Sequence, residues 1–142
     1  MYKKVFIDAN VFIDSNDDSR KSYKESFKII PFLLKNNIAI YTSCDLITTI
    51  YYVLSKKSKQ KALDNIEELN KICKVIEFSN KEVSQTCALM RENKKFKDLE
   101  DTLQYVLAQK SGCEIILSND KNFYAQNIEL MNTTSFYEKY VK

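Results

Sequence analysis

At 142 residues, 44% of them hydrophobic, and with a formal net charge of +3, the chain has material for one hydrophobic core and only a mild bias toward polyanionic partners. It has no histidine, which excludes Ser-His-Asp and Cys-His nucleophile systems, histidine acid–base pairs and histidine-rich zinc sites. Its one glycine, Gly112, excludes a P-loop and a dinucleotide fingerprint, so carboxylates, hydroxyls, thiols and amines are what is left for chemistry.

In chain order, residues 5–7 form a short β-branched and aromatic run that suits a buried parallel strand, ending in Asp8. The sequence turns polar over 15–22. Residues 23–35 carry Phe27, Ile30, Phe32, Leu33 and Leu34 as a helical face, with Pro31 inside it and Asn36-Asn37 as a left-handed stop. A second strand is predicted over 38–42, with Ser43 as N-cap of a helix bearing Leu46, Ile47, Ile50, Tyr51, Val53 and Leu54. A further helix over 61–70 leads to a third strand at 74–78, and Ser79 opens a helix to about residue 93. Asp98 starts the next helix, with apolar Leu99, Leu103, Val106 and Leu107; Gly112 caps it, and 113–117 is a strand. Residues 128–131 give a fifth strand and 135–140 a terminal helix. Strands separated by helices over the whole length predict a single α/β domain, residues 1–142, with a parallel sheet of about five strands flanked by helices.

Cys44, Cys73, Cys87 and Cys113 form no C-x-x-C pair and read as small buried apolar residues. The start, MYKKVFIDAN, lacks the apolar segment of a signal peptide, and no stretch approaches the roughly 20 apolar residues of a membrane span, which predicts a cytoplasmic protein. Lysine clusters at 55–61 and 91–97 are either solvated helix ends or contacts for a nucleic-acid backbone; Lys56, Lys57, Lys94 and Lys95 are the candidates.

Ligands of open parallel sheets sit outside the carboxyl ends of the strands. Asp8 ends the first strand, Asp120 closely follows the fourth, and Asp101 lies in the first turn of the helix before it, with Asp98 three residues earlier on the same helix face. If strands one and four are neighbours, these carboxylates face one pocket. Clustered carboxylates raise one another's pKa unless a cation neutralises them, and an oxygen-only donor set suits Mg²⁺ or Mn²⁺. Each acid also has a plain structural reading: Asp98 as helix cap, Asp101 as first-turn acid, Asp120 as turn former, while Asn10 either positions Asp8 or shapes the turn.

FIDANVFID, YTSCDLITTIYYVLSKK and DLEDTLQYVLAQKSGCEIILSNDKNF, in that order and spacing, resemble the acidic blocks of PIN domains, in particular the VapC-like ribonuclease toxins. The resemblance spans nearly the whole chain and implies a divalent-metal-dependent endoribonuclease that cuts RNA, often dimeric and held inactive by a cognate antitoxin. It implies Asp8, Asp101 and Asp120 as metal-binding acids, Asn10 as support for Asp8, Ser118 as the hydroxyl at the pocket edge and Asp98 as an additional acid. Many relatives carry a glutamate in the helix after the second strand; Thr49 stands there in this sequence, with Asp45 one turn earlier. A noncatalytic PIN-like RNA-binding or scaffold domain is the alternative. A receiver-like signalling domain fits less well, because KVIEFSN offers no phosphoacceptor aspartate, and Asn10 replaces the second aspartate that a haloacid-dehalogenase-like phosphatase needs.

Overall fold

The computed structural model describes residues 1–142. Strand β1 (Lys4–Ile7) leads into a short helix α1 (Ala9–Ser15), then α2 (Tyr23–Lys35), β2 (Ala39–Ser43), α3 (Cys44–Leu54), α4 (Lys59–Ile72), β3 (Cys73–Ile76) and α5 (Asn80–Glu92). Helix α6 (Leu99–Lys110), β4 (Ile115–Leu117), β5 (Glu129–Met131) and α7 (Thr133–Phe136), with a closing π-helical turn at Tyr137–Val141, complete the chain.

All five strands are parallel, in the order β3-β2-β1-β4-β5, as expected of a sheet flanked by helices. That order is the doubly wound one and differs from the 2-1-3-4-5 order of receiver domains. Central β1 lies between β2 and β4, with Val5 opposite both Ile40 and Ile115 and Phe6 opposite Tyr41 and Ile116. Val5, Phe6, Ile7 and Ile115–Leu117 are wholly buried, which is why both strands read as uninterrupted apolar runs. The helices pack as two groups, α1 with α2 and α3 and then α4, and α5 with α6. The connections run to one side from β1 to β3 and to the other from β4 to β5, so the sheet has its switch point between β1 and β4. The segments after Ile7 and Leu117 are thereby brought together, and the Asp8 N–H donates to the Leu117 carbonyl at 3.0 Å.

Several local features differ from the sequence expectation. Helix α1 is additional: it is only seven residues long, with Val11, Phe12 and Ile13 consecutive and all buried, so its pattern does not separate a helix from a strand. Strand β4 is shorter than 113–117, because the Cys113 N–H turns back to the Ala108 carbonyl (2.9 Å) and the Gly112 N–H to Gln109 (3.1 Å), closing α6 with a Schellman turn at Gly112, φ +75°. The same device ends α2 at Asn37, φ +56°, where Ile38 N–H bonds the Leu33 carbonyl at 2.9 Å. Pro31 does not break α2, but Phe27 and Leu34 lie outward, 54% and 44% exposed, leaving Ile29 and Leu33 as its fully buried apolar side chains. Leu99, assigned to the apolar face of α6, is likewise 54% exposed. Helix α4 starts at Lys59 and runs directly into β3, whose pairing with Ile40–Ser43 draws the strand back to Cys73–Ile76. Ser43 holds the N-cap position of α3 as expected, but its hydroxyl donates to the Asp45 carboxylate instead of accepting from a backbone N–H. The terminal helix starts at Thr133. Of the cysteines only Cys113 is fully buried, and Cys87 is exposed. No helix is long and apolar enough to cross a membrane.

Candidate active site

Asp8 occupies the joint between β1 and α1, in extended conformation at the N-cap. Its Oδ1 accepts from the Ala9 N–H (2.7 Å), and its Oδ2 from the Ser118 hydroxyl (2.8 Å) and Asn10 Nδ2 (2.9 Å). The residue is only 4% exposed. Burial pushes its pKa up, and the charge of Asp120 adds to this, while the bonds from Ser118 and Ala9 and the nearby Gln104 amide pull it back.

Asn10 and Ser118 bind the two strand ends to each other. Asn10 Oδ1 accepts from the Asn119 N–H (2.9 Å), and Ser118 Oγ accepts from the Asp120 N–H (3.1 Å). Asn119, which the sequence pattern did not single out, donates to buried Asp14 on α1 (2.8 Å) and accepts from the Thr133 N–H and hydroxyl, both at 3.0 Å. The loop after β4 is therefore tied to α1 and α7. Of the two readings left open for Asn10, the positioning one matches its bonds.

Asp101 lies half-buried in the first turn of α6, and its carboxyl is pushed up to about 7, by burial first and then by Asp98, Asp8, Asp120 and Glu100. Asp98 is the N-cap of α6, accepting from the Asp101 N–H at 2.9 Å, so the capping role read from its position is real and its charge still bears on Asp101. Asp120 is exposed and shapes its own turn, accepting from the Asn122 N–H at 2.9 Å. Glu100 was missed: it falls two residues after Asp98, off the shared three-residue spacing, yet burial and the charges of Asp45, Asp8 and Asp98 raise its pKa. The charge of Asp45, on α3 one turn before Thr49, thus bears on the same group of acids.

No lysine or arginine forms an ion pair with Asp8, Asp45, Asp98, Glu100, Asp101 or Asp120; the ion pairs of the protein involve Asp14, Asp17, Glu82 and Glu138. No group of three acids stands at metal-ligand spacing. The donors are all oxygen and uncompensated by any basic side chain, a set that suits a hard divalent cation. Asp8 and Asp101, with Asp120 at the rim, have the carboxylates to hold it.

The lysine candidates differ among themselves. Lys57 is committed to Asp17 at 2.6 Å and to Ser19, and this pairing holds the Asp17 carboxyl below its usual range. Lys56 lies 4.8 Å from the Tyr52 ring centroid and Lys95 6.0 Å from that of Tyr124, a residue that lines a small crevice with Asp98 and Asp101. Lys94 is exposed and has no acidic partner.

The family model described as PIN domain matches residues 4–122. The chain is 51% identical over 138 residues to Ribonuclease VapC1 of Aquifex aeolicus (strain VF5), covering 97% of this chain and 96% of that protein. Among solved structures it is similar to VapC20 of Mycobacterium tuberculosis, described as a Sarcin-Ricin loop cleaving toxin, with TM-score 0.66, 13% identity and coverage of 84% of this chain and 92% of that one. It is also similar to VapBC2 of Rickettsia felis bound to a promoter DNA fragment, with TM-score 0.68, 19% identity and coverage of 91% and 98%. These two likenesses concern the fold.

Proposed function

The chain belongs to the PIN domain family, and from that premise we propose that it is a divalent-metal-dependent endoribonuclease and the toxin of a toxin–antitoxin pair. The near-full-length identity of 51% to a ribonuclease carries this reading. The local chemistry supports it, since hydrolysis without histidine needs another way to activate water, and the chain gathers unpaired carboxylates at its sheet switch point.

Asp8 and Asp101 would hold Mg²⁺ or Mn²⁺, with Asp120 completing the set and Asp98 and Glu100 adding negative charge. The chemistry such a cation supplies is neutralisation of a phosphodiester and activation of water. Ser118, Asn10 and Ala9 hold the Asp8 carboxylate in one orientation. Asp101, pushed up to about 7, would have to lose its proton to hold a cation near neutral pH. Asp45 supplies from α3 the acid that Thr49 does not. Lys95, near the Tyr124 ring, with Lys94 next to it in the chain and Lys56 just past the end of α3, would contact the RNA backbone.

A cognate antitoxin is the protein partner, as the names of similar structures, VapBC2 of Rickettsia felis and VapBC of Salmonella typhimurium, suggest by analogy. A homodimer is the expected assembly, checked by light scattering of the purified protein. The function is tested with a panel of single-stranded RNAs in Mg²⁺, in Mn²⁺ and in EDTA, using wild type and Asp8→Asn. Cleavage with either metal, abolished by EDTA and reduced roughly a hundredfold or more in the variant, is the expected result. Equal cutting by both proteins, or none from folded wild type free of antitoxin, would leave a noncatalytic RNA binder as the better reading.

A further inference from the structure

One buried side chain is left unexplained by packing. Gln104 on α6 is fully buried, and neither its Nε2 nor its Oε1 has a hydrogen-bond partner; every other fully enclosed side-chain polar atom in the protein has one. Its neighbours show how such groups are normally settled: Thr102 donates to the Asp98 carbonyl at 2.6 Å and Thr86 to the Glu82 carbonyl at 2.8 Å. A glutamine amide brings two donors and an acceptor oxygen, and burying them unpaired destabilises the fold relative to an apolar side chain of like shape. Departures of this kind concentrate at functional sites.

The position of Gln104 gives the reason. It follows Asp101 by three residues and so shares its face of α6. Its amide is near enough to Asp8 to favour the charged carboxylate, yet it stops short of hydrogen-bond geometry. The other donors to Asp8, from Ala9, Asn10 and Ser118, are already engaged at 2.7–2.9 Å. Gln104 is a fully buried amide beside Asp8 with no formed hydrogen bond of its own.

We propose that Gln104 is a positioning residue of the acidic site, its amide kept free so that Nε2 donates to the Asp8 carboxylate, and Oε1 accepts from a site water, once a divalent cation draws Asp8 and Asp101 together. The inference rests on the metal-nuclease reading above. It predicts an opposition between stability and metal affinity that a merely structural amide would not produce.

The test replaces the amide by apolar side chains of similar reach, Gln104→Met and Gln104→Leu, and measures thermal unfolding in EDTA, Mn²⁺ affinity by calorimetry and RNA cleavage. The expected result is a melting temperature equal to or above wild type in EDTA, with Mn²⁺ binding weakened about 10- to 100-fold and cleavage reduced in step. A lowered melting temperature with unchanged Mn²⁺ affinity would overturn the proposal and make Gln104 structural, as would failure of both variants to fold. Variants that match wild type in all three measurements overturn it too, while wild-type cleavage leaves the nuclease reading standing. Wild type that neither binds Mn²⁺ nor cuts RNA overturns that reading and this proposal together.

Discussion

Asp101 shows at the scale of one residue what crowding of like charges does. Its carboxyl moves from the ordinary aspartate value of 3.8 to about 7, so in the metal-free protein the folded state favours the neutral acid. Stability from that preference is fully present below 3.8 and is lost as pH rises through about 7. Asp8 and Glu100 are shifted the same way. Asp17, Glu82 and Glu114 are shifted down, so their contribution is lost only on acidification below the unfolded values and does not offset the trend. The melting temperature of protein in EDTA is therefore expected to fall from about pH 4.5 to 7. Asp101→Asn should flatten the slope and melt higher than wild type at pH 8, as calorimetric scans would show; a parallel slope in the variant would assign the trend elsewhere. A second residue-scale expectation concerns Asp45: Asp45→Asn should lower cleavage at least tenfold if this acid replaces the missing glutamate, and unchanged turnover would leave α3 without a role in the chemistry. Asp8, Asp98, Asp101 and Asp120 were legible because they stand at strand ends and at a helix start. Glu100 was not, because a one-dimensional spacing rule assigns it to another helix face, and the charges of Asp45 and Asp8 reach it only through the folding of α3 and β1 beside α6.

Elements carry the site through their ends. Helices α2 and α6 both close on a residue with positive φ that turns the chain back toward the sheet, and Asn36-Asn37 and Gly112 announced both turns in the sequence. Gly112→Ala tests the device at the end of α6. A Cβ there would meet only Lys4 Nζ at 3.6 Å, so space is not limiting, but φ +75° is strained for alanine. The expected loss is about 1–2 kcal/mol in chemical denaturation, and no loss would mean the turn relaxes freely. What the sequence concealed at this scale was α1. Val11, Phe12 and Ile13 are all buried, and three consecutive apolar residues in so short a helix have the same pattern as a strand. Yet α1 sets the site, since Asp8 caps it and Asn10 reaches across from it to Asn119. The outward-facing Phe27, Leu34 and Leu99 mislead in the opposite direction, since apolar side chains at helical spacing are not obliged to be buried.

For the whole molecule, strand order matters most. The order β3-β2-β1-β4-β5 puts β1 and β4 side by side, so acids 112 residues apart in sequence, Asp8 and Asp120, act on one another. Alternation of strands and helices implied the parallel sheet but left its order open, and the neighbouring of strands one and four was a condition of the pocket rather than something the pattern delivered. The protein's surface extends the account to RNA. Lys56, Lys94 and Lys95 lack acidic partners, whereas Lys57 is held by Asp17. RNA affinity of a cleavage-blocked Asp8→Asn protein should fall steeply with salt, with the log–log slope shallower by about 0.7 for each of Lys94 and Lys95 replaced by alanine. Lys57→Ala should change the slope less. An unaltered slope in the Lys94 and Lys95 variants would place the RNA elsewhere.

The most direct measurement is a calorimetric Mn²⁺ titration of wild type and Asp101→Asn at pH 6 and pH 8. If the uncompensated acids at the ends of β1 and β4 and at the start of α6 are a cation site, wild type binds at both pH values, about tenfold or more tightly at pH 8 because Asp101 must first lose its proton, and the variant loses most of the affinity and the pH dependence. Equal binding by the two proteins, or an affinity indifferent to pH, would contradict that account.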